Sequence, residues 1–214
     1  MIARSFFVAA AVVLTALPAL AQDNKPAPPP GGPPVRLRAT IESFDGAKLM
    51  VKAEDGQETT VAVAPNTRVG AVATRTLADI KPNDFIGVTA LPGKDGMLHA
   101  TEVHIFPEAM RGVGEGHYPW DRGPDSSMTN AAVTGMVDSS DGKSVTLSYK
   151  DRSGKEGETK IDISPNIPIV TFIPGDPSLL KPGAATVMFA RKDPDGTLTA
   201  LNITAEKDGV KPPM

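Results

Sequence analysis

The sequence predicts an all-β fold: two tandem small five- to six-stranded OB-like barrels joined by a long ordered connector. Three observations carry this. The chain repeats itself, since Asp45-Gly46, Pro65-Asn66, Lys81-Pro82, Asp95-Gly96, Leu98 and Ala100 return as Asp141-Gly142, Pro165-Asn166, Lys181-Pro182, Asp195-Gly196, Leu198 and Ala200. Short runs alternate apolar and polar residues between Asp-Gly turns, which is the pattern of half-buried strands in hairpins. Helix signals are nearly absent. From Pro65 onward the repeat offset is 100 residues, against 96 at Asp45. The second copy therefore carries four extra residues, placed in Lys150–Gly157 opposite Glu54–Gln57. A hairpin tip tolerates such an insertion well.

The elements follow in order. Residues 1–21 read as a secretory leader: Arg4, then the apolar run Phe6–Leu17, then Ala19-Leu20-Ala21 as a small-x-small cleavage pattern. The run is too short to span a bilayer. Removing 21 of 214 residues leaves 193, and the net charge of −3 becomes −4 as Arg4 departs. The expected location is the periplasm or the secreted fraction, with no membrane span after cleavage. Residues 22–34 form a proline-rich linker, a semi-stiff spacer that neither helix nor interior strand accommodates. There is no cysteine, so burial alone must hold the fold, where small exported domains often use disulfides.

Copy 1 spans 35–107. Val35, Leu37, Ala39 and Ile41 alternate with Arg36, Arg38, Thr40 and Glu42. Strands around Leu49–Val51 and Thr59–Val63 follow, then an irregular section from Pro65 to Asp84, then strands Phe85–Leu91 and Met97–Phe106. Copy 2 spans 130–209 in the same order, and 210–214 is a tail. Thr76–Ile80 and Pro177–Leu180 each suit one helical turn, ended by Lys-Pro. A pause between third and fourth strands suits an OB-like barrel; an SH3-like barrel is the neighbouring option. Barrels this small are marginal alone, so the copies should pack against each other. The fourth strand differs most between copies, Gly87-Val88 against Val187-Met188.

The connector, 108–129, is long for a compact protein and holds the only tryptophan. Arg111, Glu115, His117, Tyr118, Trp120 and Asp121 are the ligand-binding candidates: a stacking ring beside an imidazole and carboxylates suits a glycan, a small ligand or a protein partner. The structural reading is that Trp120 plugs a groove between barrels and His117 anchors a loop. A metal reading uses Glu102 and His104, which share a strand face, with His117 folded back over them. A hydrolase reading centres on His117 with Asp121 and one of Ser126, Ser127, Ser139 or Ser140, without any nucleophile-elbow pattern. Asp193-Pro194-Asp195-Gly196 lacks the spaced carboxylates of a calcium loop and reads as a turn. Nucleotide loops and zinc-protease motifs are absent. Acidic charge and few aromatics speak against nucleic acid. The expected function is a non-enzymatic binding or interaction module without cofactor.

Phe106-Pro107-Glu108-Ala109-Met110-Arg111-Gly112, Gly114-Glu115-Gly116-His117, Pro119-Trp120-Asp121 and Ser127-Met128-Thr129-Asn130-Ala131 resemble an uncharacterised family of exported proteobacterial proteins with tandem OB-like domains of unknown function. Leu77–Asp84 looks like the barrel motif of those domains. Some relatives carry the label metal ABC transporter permease, which a chain without membrane spans does not fit. The resemblance covers about 35–212 and implies no catalytic residue. Tyr118 stands where the family often has Arg.

Overall fold

A computed structural model describes residues 33–213, so the leader and nearly all of the proline-rich linker lie outside the described residues. Copy 1 forms β1 (Val35–Phe44), β2 (Lys48–Ala53), β3 (Glu58–Ala62), β4 (Arg68–Thr74), β5 (Phe85–Pro92) and β6 (Leu98–Ile105). The connector adds β7 (Gly116–Pro119). Copy 2 forms β8 (Ser127–Ser139), β9 (Gly142–Lys150), β10 (Glu156–Ile163), β11 (Ile169–Pro174), β12 (Ala185–Lys192) and β13 (Leu198–Ala205). β8 thus begins at Ser127, inside the stretch 108–129. β4 and β11 are strands inside the section read as irregular. Single 3-10 turns at Leu77–Asp79 and Pro177–Leu179 precede each Lys-Pro.

Local chemistry sets the hairpins. At the β1–β2 turn the Asp45 carboxylate accepts from the backbone N–H of Ala47 and Lys48 at 2.9 and 2.7 Å. Gly46 takes φ +97°, which disfavours any side chain. In β1 the alternation holds: Ala39 and Ile41 are buried and Leu37 packs beside them, with Arg36 and Arg38 on the other face.

The pairing of strands departs from one barrel per copy. One closed ring runs β10-β9-β8-β5-β6 and shuts by parallel pairing of β6 with β10, Leu98 opposite Ile161. A second runs β3-β2-β1-β12-β13 and shuts through β13 and β3, Leu198 opposite Val61. Each ring takes the first three strands of one copy and the last two of the other. The ranges 35–107 and 130–209 mark the sequence repeat, and neither is a self-contained barrel. β4 and β11 are the cause. Instead of turning the chain back onto its own ring, they pair antiparallel with each other, Val72 opposite Phe172, and carry it across. Period-2 alternation dictates which face is buried and says nothing about which strand lies alongside.

Irregularities in register recur at corresponding positions of the two halves. Bulges recur at Thr89/Ala90 in β5 and Phe189/Ala190 in β12, and between Ile41/Ser43 and Val133/Gly135. The Lys150–Gly157 insertion sits in the β9–β10 hairpin, as expected. A second one appears in β8–β9: Ile41 faces Val51, whereas Val133 faces Leu147. That hairpin encloses 13 residues where its counterpart encloses 9, and residue spacing across the repeat is 92 at Ile41 and Val133.

Both cores are mixed. Ile86, Val88 and Val103 of copy 1 pack with Val145, Leu147, Ile161 and Ile163 of copy 2. Ile41, Leu49, Val51 and Val61 of copy 1 pack with Met188, Ala190 and Ile203 of copy 2. At about 1.5–3 kcal/mol per buried large aliphatic side chain, each core draws much of its burial from contacts between the copies. The ring seam carries Phe85, Phe106, Phe172 and the His104 imidazole in successive contacts of 5.3–5.4 Å.

Candidate functional site

The connector leaves β6 and makes one 3-10 turn, Glu108–Met110. Arg111 closes that turn: Nε and a terminal nitrogen donate to the Glu108 carboxylate at 2.7 and 2.8 Å, and to the Asn83 carbonyl at 3.0 Å. Its guanidinium is therefore engaged within the loop. Asn130 of β8 then organises the glycine-rich stretch. Its amide donates to the carbonyls of Val113 and Gly114 and to the Tyr118 hydroxyl at 3.1–3.3 Å. A Cβ on Gly114 would meet the Asn130 amide nitrogen at 2.9 Å, so glycine permits this close approach. Tyr118 donates in turn to the Gly114 carbonyl at 3.2 Å.

β7 lies along β8, and its alternation sends neighbouring side chains apart. The His117 imidazole Nδ1 sits 2.8 Å from the Thr129 hydroxyl, and its ring stacks on Tyr149 at 6.1 Å. Desolvation holds its pKa below the ordinary histidine value. Glu115 accepts from the Lys150 backbone N–H at 2.9 Å, tying the connector to β9. Beside it opens a concave surface of about 480 Å³ lined by Glu115, Ser148, Tyr149, Lys150, Glu156, Gly157 and Glu158. Tyr149 lies close enough to Gly157 that a Cβ there would come within 2.6 Å of the ring.

Trp120 and Asp121 go elsewhere. The Arg36 guanidinium lies 3.6 Å from the Trp120 ring centroid, and Tyr118 flanks the indole at 5.8 Å. The Asp121 carboxylate binds Arg36 and takes both terminal nitrogens of Arg38 at 2.8 and 2.9 Å. The two arginine side chains are 13 and 11% exposed, against 50% for Asp121. The Arg38 hydrogen bonds, with the Arg36 charge, hold the Asp121 carboxyl well below the usual carboxylate range. Arg122 extends the clamp to the Glu54 carboxylate at 3.5 Å and the Pro213 carbonyl at 2.6 Å. Trp120 is thus half-buried, neither an enclosed plug nor an open platform, and its accessible partner is an arginine of β1.

The metal set does not assemble. Glu102 and His104 share a face, with Val103 in the core, as their spacing implies. That face is buried in the seam, where Glu102 meets Thr89 of β5 and His104 meets Phe172 of β11. Glu102 accepts from the Thr89 hydroxyl at 2.7 Å, and burial pushes its pKa up against the pull of Arg122, Arg38 and Arg36. His104 is 1% exposed, stacked on Phe172, and neither ring nitrogen has a partner. Desolvation takes its pKa down to about 3. His117 meets Tyr149 instead. Among the described residues no three His, Cys, Asp or Glu side chains are placed to hold a metal ion.

The hydrolase set is dispersed too. The hydroxyl beside His117 belongs to Thr129, which is fully buried. Ser126 donates to the Trp120 carbonyl at 2.9 Å, and Ser139 and Ser140 line a separate hollow with Asp95, His99, Asp141 and Asp162.

Sequence reasoning missed Tyr149, Gly157 and Glu158. The signal was present, because they flank the four-residue insertion that lengthens the β9–β10 hairpin. No helix among the described residues is long and apolar enough to cross a membrane. No protein-family model, curated protein or solved structure matches the chain.

Proposed function

We propose that the protein is an exported, non-enzymatic binding module whose ligand surface is the concavity between the connector and the β9–β10 hairpin. One observation carries this reading. Two departures from the repeat, the connector and the hairpin insertion, meet at this surface, joined by Glu115 on the Lys150 backbone and His117 on Tyr149. A repeat conserves what packing needs; the added parts are free to take a ligand. The lining offers three glutamates, one lysine, one serine and one tyrosine, which favours a small polar ligand rich in hydroxyls or cationic groups. The family resemblance of the connector points to the same segment. We read each closed five-strand ring as an OB-like barrel, built here from both copies, and the periplasm as its compartment.

The test is an amide-shift titration of the ¹⁵N-labelled protein with two probes, a neutral oligosaccharide and spermidine. Saturable shifts centred on Glu115, Tyr149, Gly157 and Glu158, lost in Tyr149→Ala, support the reading. Shifts centred on Trp120, or no shifts with either probe at millimolar concentration, overturn it.

A further inference from the structure

We infer that the two copies form an internal dimer and that a second copy of this chain is a partner the fold accepts: two chains can trade their second halves across the connector with every pairing between the copies preserved. The argument is one of symmetry and reach. Under the repeat offset of 100, Val72 maps onto Phe172, and these two residues face each other in the β4–β11 pair. The pseudo-two-fold axis therefore passes through that pair. The junctions between the copies obey it. β4 meets β13 at Val69 and Ile203, while β11 meets β6 at Ile169 and Val103. β1 meets β12 at Thr40 and Ala185, while β8 meets β5 at Ala132 and Phe85. This is an isologous interface, the kind two identical chains make.

Both cores and both ring closures join copy 1 to copy 2, so their contacts are the same whether the copies belong to one chain or two. Only the connector distinguishes the cases. It supplies β7, the Asn130 contacts and the Asp121 clamp, all of which favour its return within one chain. It also keeps the copies at an effective concentration of about millimolar, so the single-chain form wins at lower protein concentration.

Connector length is the control. Ile86 faces Ile105 on one side and Ala131 on the other, so Ile105 and Ala131 lie two strand spacings apart, about 10 Å. Ser127 is four residues back along β8, about 13 Å. The direct line from Ile105 to Ser127 is then about 16 Å. Three intervening residues make four Cα–Cα steps, which span about 14 Å at most. A chain keeping only Phe106, Asp125 and Ser126 between these strands cannot close on itself.

Two experiments test this. In the first, a protease site is inserted between Val113 and Gly114 of the full chain and cleaved. Light and ¹⁵N-labelled nicked samples are unfolded together in urea and refolded. Native mass spectrometry is expected to show one-to-one complexes of the two fragments, about half of them hybrid by random assortment, with near-ultraviolet dichroism restored. Fragments that separate at micromolar concentration into two folded monomers overturn the inference. In the second, the shortened chain is expected to fold only as assemblies of two or more chains, and a folded monomer contradicts the proposal. If the shortened chain does not fold, the nicked protein decides.

Discussion

The buried imidazole of His104 makes stability depend on pH with a definite sign. In the folded protein its pKa lies at about 3, against an ordinary value of 6.5, because burial excludes the charged form. The unfolded chain therefore takes up a proton at a pH where the folded chain cannot. Above about pH 6.5 this site leaves stability untouched; as pH falls from 6.5 toward 3, stability is lost progressively, at about 1.4 kcal/mol per unit. At pH 4, 2.5 units below the ordinary value, the loss is about 3 kcal/mol, a large share of a small domain's total. Other groups titrate in the same range. His117 adds a loss of the same sign, because desolvation lowers its pKa too. Glu102, with a raised pKa, acts in the opposite direction. The comparison that isolates His104 is His104→Leu, close in volume and without titration. At pH 7.5 the variant should stay within about 1 kcal/mol of the parent, since the lost Phe172 stack is offset by removing two unpartnered ring nitrogens. Urea denaturation from pH 7.5 to 4 should then show the variant overtaking the parent by about 3 kcal/mol at the acid end. Parallel stability curves for the two proteins would refute a desolvated His104.

Three further expectations follow from the clamp and the seam. Asp121→Ala strands two nearly buried guanidiniums without their anion; because the carboxylate itself is half-exposed, the cost should be about 1–2 kcal/mol, read by urea denaturation at pH 7, and should shrink with the Arg38→Gln background. Trp120→Ala should cost about 1–3 kcal/mol, between a surface and a core tryptophan; a loss near 5 kcal/mol would mean full burial, and one near zero would free the ring for ligands. Gly87→Ala would place a Cβ 2.6 Å from the Asn130 side-chain oxygen and 2.9 Å from the Phe106 ring, so thermal melting should show a loss of about 1–3 kcal/mol, although the matching position in copy 2 is Val187.

The doubling, the hairpins and the buried face of each strand were legible because Asp-Gly turns and two-residue alternation are local signals. β4 and β11 were not, since Gly70, Ala71 and Ala73 dilute the apolar pattern and β4 draws its order from β11 and β13. Strand exchange was illegible for a deeper reason. Leu37 is equally satisfied beside Val88 or Met188, and sequence periodicity treats those partners alike. At the site, the aromatic cluster drew attention to the connector, but Trp120 answers to Arg36, 84 positions earlier, and Tyr149 stands in β9 where β2 has Ala53, beside the lengthened hairpin. Glu102 and His104 share the face their spacing assigns; that this face is dry depends on distant partners, Phe172 of β11 above all.

Exchange of strands between the copies underlies every packing statement above, and interstrand proton contacts test it most directly. In the nuclear Overhauser spectrum of the labelled protein, β1 should show backbone contacts between Leu37 and Met188, and β8 between Ala132 and Phe85. Contacts from Leu37 to Val88 and from Ala132 to Ala185 would instead establish one barrel per copy and contradict the account.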